Sequence, residues 1–306
     1  MKPIFKVDLY FLIVLVLSIV GPIFVTPMLY NLGLVPPLIL MAIHIIFFIL
    51  PAIIYIFVTK SNYKRVFSFK KPKGKDVFYS VLIAALSLPV VMFFSYISSL
   101  FTTNDVALVL DKMSVYPLWL MILVVGVTPA ITEELTMRGI VLSGFEFKSK
   151  NVAAIMTGIM FGILHLNAHQ FLYATVMGII LAYVVRATGS IFLSMLIHFL
   201  INTWNLIQQR IMSQGINTED LLHAVDSMNN MPTNLKVGFF FYYLVLALVA
   251  SFLISYLIRK MEKRNLDITL DELDVATRVS YKEEKLINIP FILSVLVFVI
   301  YTFFII

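Results

Sequence analysis

Residues 118–142 read LWLMILVVGVTPAITEELTMRGIVL, and this stretch decides the kind of protein the chain encodes. It is long enough to cross a bilayer, for which about 20 mostly apolar residues suffice. Yet it carries Glu133, Glu134 and Arg138. Each such charge costs about 2.5–3.5 kcal/mol at mid-bilayer on insertion scales. The charged face must therefore be turned toward other protein, and the rest of the chain has to supply that protein.

It does so with more of the same material. The chain is 60% hydrophobic and 13% charged over 306 residues, with a mean hydropathy of +0.96, whereas soluble domains are nearer half apolar and a quarter charged. Nine apolar segments run approximately over 9–25, 37–58, 77–101, 118–142, 152–166, 171–185, 191–207, 237–258 and 287–306. The expected fold is all-α, a polytopic transmembrane helical bundle of about 8–9 spans. It divides into N-terminal transmembrane helices (1–117), a core (118–210) and a C-terminal loop with further helices (211–306). The first residues resemble a signal peptide, but no small-residue cleavage site follows, so the first segment reads as a retained span. The absence of cysteine removes disulfides, a thiolate nucleophile and Cys-ligated zinc.

The formal charge of +6 does not point to nucleic acid, because the basic residues lie in loops beside apolar spans, where they act as topology signals facing anionic lipid. Taking alternate loops as alternate sides groups Lys2, Lys6, the basic residues from Lys60 to Lys75, Lys148, Lys150, Arg186 and those from Arg259 to Lys285 on one side. Only Lys112, Arg210 and Lys236 fall on the other. By the positive-inside rule the N-terminus is cytoplasmic. The fifth and sixth segments, about 15 residues each, reach only about 22 Å. They predict a short helical hairpin whose tip, near residues 165–170, stays within the protein beside a cavity. The stretches 210–236 and 259–285 read as solvated loops or surface helices, and no internal repeat of the inverted transporter kind is visible.

Chemistry concentrates in three of these segments. Pro129 removes a helix hydrogen bond, freeing the carbonyl of Val125 and bending the helix one turn before the glutamates. Glu134 and Arg138, four apart with the acid first, predict an ion pair. Glu133 points about 100° away and is left for other work. His165 ends the fifth segment, and His198 and Asn202 stack on one face of the seventh. Counting the helix rise from the cytoplasmic ends puts Glu133, His165 and His198 roughly 13–21 Å deep, so they can meet near mid-membrane. A carboxylate, two histidines and an amide suit hydrolysis: a buried carboxylate makes a better base, and a neutral imidazole and an amide N–H can donate to a developing oxyanion. His44 reads as hydrogen-bonded packing and His169 as a water-facing tip residue. Phe161 reads as a core or lipid-facing ring, and His223 takes no role. The basic residues beside the site read first as topology signals, with substrate and water expected from the cytoplasmic half, between segments four, five and seven.

The motifs Glu133-Glu134-x3-Arg138, Phe161-x3-His165 and His198-x3-Asn202, the last preceded by Thr188-Gly189-Ser190, resemble in order and spacing the CAAX protease and bacteriocin-processing family of intramembrane endopeptidases. The resemblance covers about residues 118–204. It departs from the family's common pattern at Thr136 and Met137, where larger apolar and aromatic residues are usual. What the resemblance implies is an intramembrane endopeptidase, resembling type II CAAX prenyl proteases, in a bacterial or archaeal cell membrane. Its substrate would be a peptide or lipidated protein at the bilayer, prenylated or of bacteriocin type. In that scheme Glu133 and His165 activate water, His198 and Asn202 form an oxyanion hole, and Glu134 and Arg138 hold the site together. A second scheme has Glu133, His165 and His198 bind a divalent metal, zinc, and the sequence leaves the two open. Two readings from other classes also stay open: a non-catalytic membrane scaffold or immunity protein, and a proton-coupled transporter. The other intramembrane protease motifs are absent, including His-Glu-x2-His, Gly-x-Ser-Gly and an aspartate pair.

Overall fold

The computed structural model describes residues 2–102, 105–212, 231–266 and 283–305. Among them are nine apolar helices: α1 Pro3–Asn31, α2 Pro36–Thr59, α3 Gly74–Ser99, α4 Leu118–Gly144, α5 Lys150–Leu164, α6 Ala168–Thr188, α7 Ile191–Met212, α8 Thr233–Arg264 and α9 Ile289–Phe304. Seven are long and apolar enough to cross a membrane, α5 and α9 being shorter. Among the described residues the only β contact is one antiparallel bridge, Phe69 to Ser190. Large apolar side chains such as Phe24, Phe57 and Phe252 lie exposed on the outside of the bundle, the surface a lipid solvent selects and water does not.

The sixth segment is longer than the sequence predicts. α6 has 21 residues, because its polar ends are helical too: Asn167 caps it by accepting the Gln170 amide at 3.0 Å, and Gly189, at φ +70°, ends it. Apolar run length undercounts such a helix. α5 remains at 15 residues, so one arm of the hairpin is short, and the chain turns at 165–167 with Leu166 at φ +50°. The arms pack closely because Gly158 and Gly162, four apart on α5, meet α6 at Gly178 and at Phe171 and Thr175 respectively. A Cβ on Gly178 would stand 2.8 Å from the Gly158 Cα and 3.0 Å from the Phe161 Cβ. Small residues at this spacing are how membrane helices bring their backbones together.

α6 lies between two apolar cores. Ala174, Ala182 and Val185 join a core built from α1, α2, α4 and α5, while Met177, Leu181 and Val184 join one built from α3, α7 and α8. α4 and α7 are thereby set against the hairpin, which is what the site requires.

One end of the bundle gathers the basic loops that the charge pattern groups. Arg65 pairs with Glu146 at 2.8 Å, Lys150 with Glu262, and Arg264 with Asp76 at 3.3 Å, where Asn265 also donates to Asp76 at 2.9 Å. The Glu284 carboxylate accepts the amides of Ile4 at 3.1 Å and Phe5 at 3.0 Å, satisfying donors that the first turn of a helix leaves without partners. At the other end Arg210 donates to the Tyr116 carbonyl and Tyr96 to that of Lys236. Of the two stretches read as solvated, α8 absorbs 233–236 and 259–264, while 213–230, with His223, and 267–282 lie outside the described residues.

Candidate active centre

α4 is not a uniform helix. Wide, π-type turns over Ile122–Val127 and Leu135–Val141 flank the α-helical Thr128–Glu134, a form often found at functional sites. Pro129 lies inside the second residue of that middle piece. The Val125 carbonyl that it frees accepts the Asn202 side-chain amide at 3.2 Å, and the Thr128 hydroxyl donates to the Leu123 carbonyl at 2.8 Å. One Asn202 N–H is thus spent on the backbone of α4, and its second remains for other use.

The spacing of four between Glu134 and Arg138 forms the predicted ion pair, 2.8 Å long with both side chains fully buried. Arg138 also donates to the Gly178 carbonyl at 3.2 Å, and its guanidinium lies over the Phe161 ring, 4.3 Å from the centroid. Phe161 is therefore more than the packing residue its sequence context suggests. The rings of His165 and His198 meet it edge-on at 4.8 Å and 5.8 Å, so one buried ring carries the arginine and both histidines. Nothing in a stripe of phenylalanines marks this one; its only signal is its place four residues before His165.

His198 joins the two glutamates. Its Nδ1 lies 3.0 Å from Glu134 Oε1 and its Nε2 3.9 Å from Glu133 Oε2. Because a carboxylate only accepts, Nδ1 carries a proton toward Glu134. In a singly protonated ring Nε2 is then an acceptor, and donation from both nitrogens requires imidazolium. In that form Glu133, Glu134, Arg138 and His198 sum to zero charge. His165 Nδ1 stands 2.8 Å from the Phe161 carbonyl, which also only accepts, so its Nε2 lone pair is open. Glu133, His165 and His198 are within electrostatic reach of one another.

His44, assigned to packing from the sequence, is the residue that reasoning missed. It enters from α2 and brings Nδ1 to 4.0 Å from Glu133 Oε1. A lone histidine 89 positions from Glu133 carries no periodicity that would place it there. His169, expected to face water, is instead buried in the first turn of α6, 3.1 Å from the Thr102 hydroxyl.

Exposure is graded across the centre. The side chains of Glu134 and Arg138 are at 0%, His198 at 3%, Glu133 at 12% and His44 at 18%. His165 and Asn202 are partly exposed as well, so the centre's open side is bordered by α2, α5 and α7. A separate cavity of about 1220 Å³ opens at the basic end between Lys64, Arg65, Lys70, Lys148 and Lys150; it touches Arg138, but Glu133, His165 and His198 do not line it.

The donor types suit a zinc ion, since each ring turns Nδ1 to a partner as zinc-bound histidines do. Their spacing does not. Two ligands of tetrahedral zinc stand about 3.3 Å apart at bond lengths near 2.0–2.1 Å, against 3.9 Å between Glu133 and His198. Among the described residues no three His, Asp or Glu side chains form a ligand cluster.

Fold and centre define a class: a polytopic helical membrane protein with a buried glutamate, arginine, histidine and asparagine constellation in its interior. Residues 115–204 match the family model described as type II CAAX prenyl endopeptidase Rce1-like. That match supports the CAAX protease family read from the motifs and spans nearly the same stretch. No curated protein and no solved structure matches the chain.

Proposed function

We propose that this protein is an intramembrane endopeptidase in which Glu133 is the general base. The observation that carries the reading is the division of labour on α4: Glu134 Oε1 accepts from both Arg138 and His198 while its Oε2 is buried without a partner, whereas Glu133, one residue earlier, is partly exposed and faces two imidazoles at 4.0 and 3.9 Å with no direct bond to either. A partly open carboxylate without a direct partner is a base in waiting.

In the proposed reaction, water held between Glu133 and the His165 Nε2 lone pair attacks the scissile carbonyl as Glu133 takes its proton. The charge moves to the carbonyl oxygen, which accepts from Nε2–H of the His198 imidazolium and from the second Asn202 N–H. Collapse breaks the C–N bond, and Glu133 returns the proton to the leaving amine. No step runs through a metal, because the donors as arranged do not fit one. The family supports a peptide substrate at the membrane, and a lipidated or membrane-bound peptide is the form able to approach a centre at this depth.

The test is a peptide-library cleavage screen in liposomes, wild type against Glu133→Ala, with and without a chelator. General-base removal is expected to lower the rate by about 10²–10⁴-fold at unchanged thermal stability. Equal cleavage by the variant would remove Glu133 from the mechanism. Activity lost with stoichiometric zinc and restored on repletion would replace the metal-free scheme.

A further inference from the structure

We propose that His44, carried by α2 outside the segment that matches the family model, is a positioning residue of the reaction centre, its imidazole fixing the Glu133 carboxylate from the open side. This rests on the peptidase reading above.

The proton assignments follow from the neighbours. The Thr132 hydroxyl donates its one proton to the Thr128 carbonyl at 2.9 Å. Its oxygen, 3.1 Å from His44 Nδ1, must then accept, so His44 carries its proton on Nδ1. That N–H edge faces Thr132 with Glu133 Oε1 4.0 Å away. The ring plane is set as well: it stacks on Phe48 at 5.2 Å and 14°, just where α2 passes into a wide turn over Ile45–Ile49.

A glutamate carboxylate turns easily about its last torsion, which has broad minima. Here Oε1 faces His44 at 4.0 Å and Oε2 faces His198 at 3.9 Å. Both separations are too long for direct hydrogen bonds, and because the one proton of His44 Nδ1 is directed at Thr132, the ring acts on Oε1 through the positive end of that N–H dipole. Two imidazoles on opposite oxygens leave the carboxylate one orientation. His44 is also within electrostatic reach of His165 and His198, so it completes a polar ring that the matched segment alone leaves open. α2 therefore belongs to the chemistry and not only to the packing.

Two variants separate this role from packing. His44→Asn places an amide N–H where Nδ1–H stands and loses the ring; His44→Phe keeps the stacked ring and loses the N–H. Each is assayed in liposomes on a peptide whose cleavage Glu133→Ala abolishes, with thermal melting alongside. Misplacing a reacting group costs up to roughly 100-fold. His44→Phe is accordingly expected to lose about 10- to 100-fold in kcat with KM within about twofold, and His44→Asn to recover most of that loss. His44→Phe at the wild-type kcat, or more active than His44→Asn, overturns the proposal while Glu133 dependence keeps the peptidase reading. Cleavage that survives Glu133→Ala overturns both.

Discussion

On one face of α4 the Glu134 carboxylate is sealed, bonded to Arg138 and His198 with no exposure. On the face about 100° round the helix, Glu133 stands between two imidazoles, none within direct hydrogen-bond distance, and is partly open. Two identical side chains, adjacent in sequence, thus meet opposite surroundings. The lesson is that a buried charge can be tolerated in two ways: by tying one oxygen to several donors, which yields architecture, or by leaving it loosely flanked, which on the proposed reading serves reactivity. The basic end repeats the first pattern at lower stakes, with Arg65 and Glu146 tied but partly exposed.

The comparison breaks most visibly at the sealed pair. Arg138→Met leaves Glu134 buried without its main partner, and removing one member of a buried pair typically costs about 3–5 kcal/mol. We expect loss of the folded protein in detergent melting, with Glu134→Gln added in the same chain restoring much of it. If the single variant melts as wild type, Glu134 and Arg138 are not the architecture we take them for. Asn202 sharpens the contrast because it serves both sides. Asn202→Ala strands the Val125 carbonyl, at a cost of about 1–3 kcal/mol for a buried acceptor, and in the proposed reaction it also removes an oxyanion donor. Stability and kcat should fall together, and a fall in kcat alone would show the Val125 contact to be dispensable. The smallest effect belongs to Arg65→Ala, an exposed pair worth about 0.2–1 kcal/mol; a melting shift equal to that of Arg138→Met would erase the distinction between end and centre.

Much of this was legible in the chain itself. Helix placement followed from apolar runs, the grouping of basic loops from the positive-inside rule, and the Glu134–Arg138 pair from local spacing of four. Each depends on neighbours along one helix or on a solvent-wide rule. The length of α6 was not, because Asn167 and Gly189 set its ends by capping and not by hydropathy. The His44 approach and the stacking around Phe161 are tertiary distances between separate helices, and no periodicity within one helix encodes them. The carbonyl freed by Pro129 was foreseen; that Asn202 would take it was not, since an amide on α7 has many carbonyls to choose from.

The contact between Glu284 and the first turn of α1 has a consequence for biogenesis. Ile4 and Glu284 are separated by 280 positions, and at a synthesis rate of 5–20 residues per second roughly 14 to 56 s pass between their emergence from the ribosome. For all of that interval the first turn of α1 lacks this carboxylate, while its packing against α2 and α4 draws only on earlier-made residues. The capping of this span is therefore post-insertional, and a nascent chain halted anywhere before position 284 holds an α1 that can pack but whose end amides are uncapped.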